Sequence, residues 1–101
     1  TGYPRLISEM TALTALRTAA TSAMAATVLA RSGARRMALI GTGAQAEYQA
    51  LAFKACLGVQ CVSYCDTDPR AMAKCAGNLR GSGLVLHACK DAREAVDGAD
   101  V

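Results

Sequence analysis

A chain of 101 residues has room for one small domain with one core. It is 52% apolar, mostly Ala, Leu and Val, which favours a packed soluble fold over disorder. Trp is absent, the only aromatic residues are Tyr3, Tyr48, Phe53 and Tyr64, and a net charge of +3 comes from scattered basic residues, so neither a base-stacking surface nor a phosphate-tracking patch is available and no nucleic-acid partner is expected.

The chain opens at Thr1 without an initiator Met and stops at "DGADV", where an apolar strand begins, so it reads as a piece of a longer protein. Met10 to Ala30 is long and nearly uncharged. That length could span a bilayer, but the segment is mostly Ala, Thr and Ser with Arg17 in its middle, which fits a buried soluble helix better. Its end is expected near Gly33, after Arg31 in the last turn. Met37 to Ile40 then reads as a buried strand, Gln45 to Leu57 as a helix closed by Gly58, and Val59 to Cys65 as a second strand ending at Asp66. Asp68-Pro69 starts a helix, with Asp as cap and Pro at the first helical position, running to about Arg80 before "GSG" breaks it. Leu84 to Ala88 is a third strand, Asp91 to Val96 a short helix, and Ala99 onward a fourth strand. The order β-α-β-α-β-α-β with short connections predicts an α/β fold: a Rossmann-type parallel sheet with flanking helices, preceded by a long Ala-rich helix.

Cys56, Cys61, Cys65, Cys75 and Cys89 form no CxxC pair, and His87 has no ligand-like spacing to them. They read as reduced, partly buried thiols of a cytosolic protein; a disulfide frame or metal site is the lesser alternative.

Gly41-Thr42-Gly43-Ala44-Gln45-Ala46 follows a strand and opens a helix, in the form G-x-G-x-x-A. Gly41 permits a sharp turn, Gly43 lets a ligand reach the backbone, and Ala46 lets the helix pack on the sheet. The amides near Ala44 and Gln45 at the helix start favour a negative ligand, for which a dinucleotide pyrophosphate is the natural occupant. Asp66 follows Gly41 at the separation expected of an acid that accepts from the adenosine ribose and repels a 2′-phosphate, which favours NAD over NADP; the alternative is a solvated turn acid beside Asp68. Arg17 is the only charge between Met10 and Ala30. In a buried helix it needs an anionic partner from elsewhere in the fold or from a ligand; at a helix edge it can reach water instead, and the residues alone leave the two readings level.

"LTALRTAAT", "ALIGTGAQAEYQALAF" and "YCDTDPRAMAK" together resemble the ornithine cyclodeaminase/mu-crystallin family over nearly the whole chain, and most its bacterial ornithine cyclodeaminases. The resemblance implies conversion of L-ornithine to L-proline and ammonia with a tightly held NAD: a hydride leaves the α-carbon, the side-chain amine attacks it, ammonia departs and the hydride returns. It implies Arg17 at the substrate carboxylate and cofactor with Thr18 beside it, Ala44 and Gln45 at the pyrophosphate together with Gly41 and Gly43, and Asp66 at the ribose. A homodimer is expected of the complete protein; the thiols point to a cytoplasmic location without a metal, and the composition of the long helix to no membrane partner. On this reading 1–13 ends a substrate domain and links it to 14–101, the N-terminal part of the NAD-binding domain. The family's catalytic aspartate lies after Val101 and further substrate ligands lie before Thr1, so no catalytic residue is expected within the chain. An amino-acid dehydrogenase, a ketimine reductase or a non-catalytic crystallin-like NAD(P)-binding protein would share the same scaffold.

Overall fold

The computed structural model describes residues 2–4, 6–8 and 10–101. Its elements in chain order are α1 (Met10–Leu29), β1 (Arg36–Ile40), α2 (Ala46–Leu57), β2 (Cys61–Cys65), α3 (Pro69–Asn78), β3 (Val85–Ala88) and α4 (Ala92–Val96). The three strands form one parallel sheet in the order β1-β2-β3, with Met37 opposite Val62 and Val62 opposite Leu86. This is the expected Rossmann-type arrangement, in which each crossover carries a helix back over the sheet.

Local signals explain the boundaries. Asp68 caps α3 by accepting from the Arg70 amide at 2.9 Å, and Pro69 takes the first helical position, where no amide is needed. Gly58 closes α2 in the left-handed conformation (φ 76°) and donates to the Lys54 carbonyl. Asp91 caps α4 through the Glu94 amide at 2.8 Å. α3 stops at Asn78, short of the expected Arg80: Leu79 still donates to the Cys75 carbonyl at 3.0 Å, but Arg80 donates to the Gly77 carbonyl at 3.3 Å in a tightened last turn before Gly81.

One face of the sheet carries the main core. Met37 and Leu39 of β1 and Val62 and Tyr64 of β2 pack with Phe53 of α2 and with Leu79, the C-cap residue of α3. The other face is covered near its C-terminal end, where Ala95 of α4 sits on Cys65 and Cys89. All five cysteines are free thiols, three of them buried.

Two expectations are corrected. The fourth strand is present only as its first bonds: Val101 donates to the Arg36 carbonyl and its own carbonyl accepts from Ala38 at 2.8 Å, on the edge of β1 opposite β2. Residues 100 and 101 are too few to make a strand, but they bond in parallel register. The long helix is not buried. α1 buries only Ala15, Ala19 and Ala23, a stripe of small residues that packs along α2, and it exposes Leu13, Leu16, Met24 and Val28. Ala-rich composition gave high helix propensity, but burial requires a partner on each face, and among the described residues α1 has one. By length and hydropathy alone α1 would suffice to cross a bilayer.

Asp100 joins the last residues to the start of β1. One carboxylate oxygen accepts from the amides of Arg35 (2.8 Å) and Arg36 (3.0 Å), and the other pairs with the Arg31 guanidinium. The Arg35 and Arg36 amides, then Arg31, hold this carboxyl down at about 2 from an ordinary 3.8. A depressed carboxyl stabilises the fold above its unfolded value, and this contribution disappears as pH falls through the folded one. Asp100→Ala should therefore lower the thermal unfolding temperature at pH 7, and the gap to the unmutated protein should close between about pH 4 and pH 2. A gap that persists unchanged at pH 2 would show that the carboxylate charge is not what acts.

Candidate functional site

The turn after β1 separates the roles of its two glycines. Gly41 continues the ladder by donating to the Cys65 carbonyl at 2.9 Å, and its φ of 92° turns the chain out of the sheet in a region that side chains avoid. Gly43 has no such backbone requirement, and a Cβ built on it would meet no atom within 4 Å. The space above Gly43 is thus open to a ligand. Gln45 is the N-cap residue of α2 but makes no side-chain cap bond, and the amides of Ala44 and Gln45 have no acceptor among the described residues. Ala46 and Ala50, both buried, let α2 lie close to the sheet. The start of α2 therefore presents free donors and the positive end of its dipole to an open cradle.

That cradle is bordered on one side by a groove running past Thr14, Ala15, Ala44, Gln45 and Tyr48, between the first turns of α1 and α2. On the other side a crevice runs over the C-terminal ends of the strands, past Gly41, Asp66, Thr67, Lys90 and Asp91. Such a crevice is where open α/β sheets bind ligands, at the point where the strand order reverses. Here β2 lies on one edge of β1 and Val101 on the other.

Asp66 is held by four donors. Oδ2 accepts from the Thr42 amide at 2.7 Å and from the Thr42 hydroxyl at 3.0 Å. Oδ1 accepts from the Asp68 amide at 3.0 Å and from the Thr67 hydroxyl at 3.3 Å. The Thr42 amide, then the Asp68 amide and the Thr42 hydroxyl, hold its carboxyl well below the usual carboxylate range, so it is ionised at neutral pH. The carboxylate ties the loop after β1 to the loop after β2.

On the far side of the turn, Lys74 of α3 donates to the Gly43 carbonyl at 3.0 Å and lies 3.2 Å from Glu47, which also accepts from Asn78 at 2.9 Å. Burial raises the Glu47 carboxyl, but Asn78, its own amide and Lys74 outweigh this and leave it lowered. A negative charge so near an anion-binding helix start is thereby compensated within the protein.

Gly41, Gly43, Ala44, Gln45 and Asp66 are brought together as the sequence predicts. Arg17 and Thr18 lie on α1 and line neither the groove nor the crevice. Arg17 is exposed and lies two residues from both Ala15 and Ala19, on the side of α1 away from α2; Thr18 is half-buried at the edge of the Ala stripe. The sequence reading missed Thr42, Thr67, Lys74 and Lys90. Lys90 was accessible through the rule that ligands meet the C-terminal ends of strands; Thr42 and Lys74 act through contacts distant in sequence and left no local signal.

Comparison with known proteins agrees with this geometry. The sequence profile of the ornithine cyclodeaminase/mu-crystallin family matches residues 1–101. An ornithine cyclodeaminase of Brucella suis biovar 1 (strain 1330) is 62% identical over 100 residues, covering 99% of this chain and 28% of the relative. The chain thus spans little more than a quarter of the curated relatives it matches. Among solved structures, Thermococcus litoralis Delta(1)-pyrroline-2-carboxylate reductase in complex with NADH and L-proline superposes with a TM-score of 0.92 at 32% identity, over 99% of this chain and 31% of that one. A lysine cyclodeaminase solved for its recognition of L-lysine, L-ornithine and L-2,4-diaminobutyric acid gives 0.83 at 39% identity, over 91% of this chain and 26% of that one.

The two glycines predict different stability effects. Gly41→Ala forces a side chain into the left-handed region and should cost about 1–2 kcal/mol of unfolding free energy. Gly43→Ala should change it by less than about 0.5 kcal/mol. Denaturant unfolding of the two variants measures this directly, and equal losses would remove the distinction.

Proposed function

Because the chain belongs to the ornithine cyclodeaminase/mu-crystallin family, we propose that it is the first part of the cofactor domain of an NAD-dependent ornithine cyclodeaminase, an enzyme that converts L-ornithine to L-proline and ammonia. The observation that carries the cofactor half of this reading is the cradle at Gly43, where open space, the Ala44 and Gln45 amides and the ionised Asp66 converge. The 62% identity to an ornithine cyclodeaminase over nearly the whole chain supports the substrate half.

The residues present fit a dinucleotide. Ala44 and Gln45 would hold the pyrophosphate through their backbone amides, Gly43 would admit it, Gly41 would set the turn, and Asp66 would accept from the ribose hydroxyls. Bound NAD supplies reversible hydride acceptance. The chain's own part is to position and to exclude: α2 aims its amides at the anion, and Asp66 sets a fixed negative charge where a 2′-phosphate would lie. No residue between Thr1 and Val101 is assigned a proton-transfer role.

Arg17 is proposed for the substrate carboxylate and cofactor, with Thr18 beside it. In support, its guanidinium is exposed, has no side-chain partner among the described residues, and carries a planar fork of donors suited to carboxylate. The apolar residues exposed beside it on α1 are consistent with this side of the helix facing another part of the complete protein. The boundary between 1–13 as the end of a substrate domain and 14–101 as the cofactor domain belongs to the same proposal; Thr1, Arg5 and Glu9 of that first segment lie outside the described residues. A cytoplasmic homodimer without membrane or nucleic-acid partners completes it, in keeping with a helix α1 whose Ala stripe packs on α2.

A second reading is favoured by the 0.92 likeness to a pyrroline-2-carboxylate reductase. The balance of cofactor separates the two. The complete protein given L-ornithine and NAD should release L-proline and ammonia in equal amounts with no net NADH. Net NADH formation from the amino acid, or activity confined to consuming NADH with a cyclic imine, would replace the cyclodeaminase by a dehydrogenase or a reductase.

Two variants test the site. Gly43→Val should abolish NAD binding in the complete protein while circular dichroism stays unchanged, because the added side chain fills the cradle without touching the core. Arg17→Ala should lower kcat/KM by roughly a hundredfold, and Arg17→Lys should remain clearly impaired because it restores charge without the fork. Near-normal kinetics for both Arg17 variants would return that residue to the solvent.

A further inference from the structure

We propose that Thr42 is a positioning residue that sets the choice between NAD and NADP through Asp66; this rests on the dinucleotide reading above. Thr42 is the x of G-x-G and is fully buried, the single polar side chain so placed among the described residues. Its amide and its hydroxyl both donate to the same carboxylate oxygen, Oδ2 of Asp66, at 2.7 and 3.0 Å. The Asp68 amide fixes the other oxygen at 3.0 Å, and the Thr67 hydroxyl approaches it at 3.3 Å.

A carboxylate offers about four acceptor positions, and here all are used. They differ in how easily they are released. Two donors are backbone amides, which cannot turn away, and a third is a hydroxyl sealed from solvent. The fourth is the exposed Thr67 hydroxyl, whose bond is the longest. A ribose hydroxyl can therefore replace Thr67 on Oδ1 without disturbing the other three bonds. Throughout that exchange the carboxylate stays in place and ionised. A fixed charge discriminates against a 2′-phosphate more strongly than one able to rotate aside, because the phosphate can neither displace it nor avoid it. The hydroxyl of Thr42 supplies the constraint that the backbone alone does not: without it, Oδ2 keeps a single amide as its hinge.

The test measures dissociation constants for NAD and for NADP with the complete protein, unmutated and as Thr42→Val, Thr42→Ala and Thr42→Ser, beside thermal unfolding. Loss of the hydroxyl in Thr42→Val should weaken NAD severalfold and narrow the preference for NAD over NADP by roughly tenfold. Thr42→Ser keeps the hydroxyl and should stay within about twofold of the unmutated preference. Thr42→Ala should narrow the preference like Val, which keeps the comparison valid should the Val variant fold poorly. A purely structural role would lower both affinities together and leave their ratio unchanged, and that outcome, or equal narrowing in Thr42→Ser, overturns the inference. If the unmutated protein binds neither dinucleotide, the cofactor reading itself fails.

Discussion

The candidate site follows from β1 being bonded along both edges by segments that reach it from opposite directions. β2 arrives on one side through α2, and residues 100 and 101 arrive on the other after the chain has passed through β3 and α4. Because the neighbouring connections diverge there, the C-terminal end of β1 is left uncovered. A turn placed at that point can be reached by a ligand, whereas the same turn elsewhere would lie against a helix. Gly41 then takes the backbone out of the sheet at φ 92°, and the first amides of α2 face the opening. The position of β1 thus converts a packing motif into a cradle.

Much of the cradle could be read from the sequence because its parts are local. Gly41 to Ala46 is one continuous stretch, Asp68 and Pro69 cap the helix that begins beside them, and Gly58 ends the helix that precedes it. What was not legible depends on distance. The burial of α1 could not be read from its composition, since Ala is equally at home on a covered or an open face; only the stripe at Ala15, Ala19 and Ala23 found a partner. Whether Arg17 needs an anionic partner or reaches water depended on that burial and was left open by the residues alone; Arg17 is exposed. The place of Asp66 after β2 was apparent, but its bonds to Thr42, 24 positions earlier, were not.

The thiols show how position decides chemistry within one residue type. Cys65 and Cys89 sit side by side at the ends of adjacent strands, beneath α4 and close to the crevice, yet both are buried. Burial pushes the Cys89 thiol up, with Glu94 and Cys65 adding to the rise, so it is neutral at physiological pH. A neutral buried thiol is a small hydrophobe and a poor nucleophile. Cys65 and Cys89 belong to the packing under the crevice.

The Asp100 clasp has a consequence for the order in which the chain acquires its shape. The contact between β1 and β2 closes over a short stretch of sequence, and the Asp66 bonds to Thr42 span 24 positions. Asp100 meets Arg35 across 65 positions. Long closures cost more chain entropy and form later than short ones. During synthesis, the Asp66 side of the crevice is therefore assembled while the opposite edge of β1 still awaits its neighbour. That edge is an open row of amides and carbonyls until residue 100 emerges, which leaves it free to pair with other strands while the chain is growing.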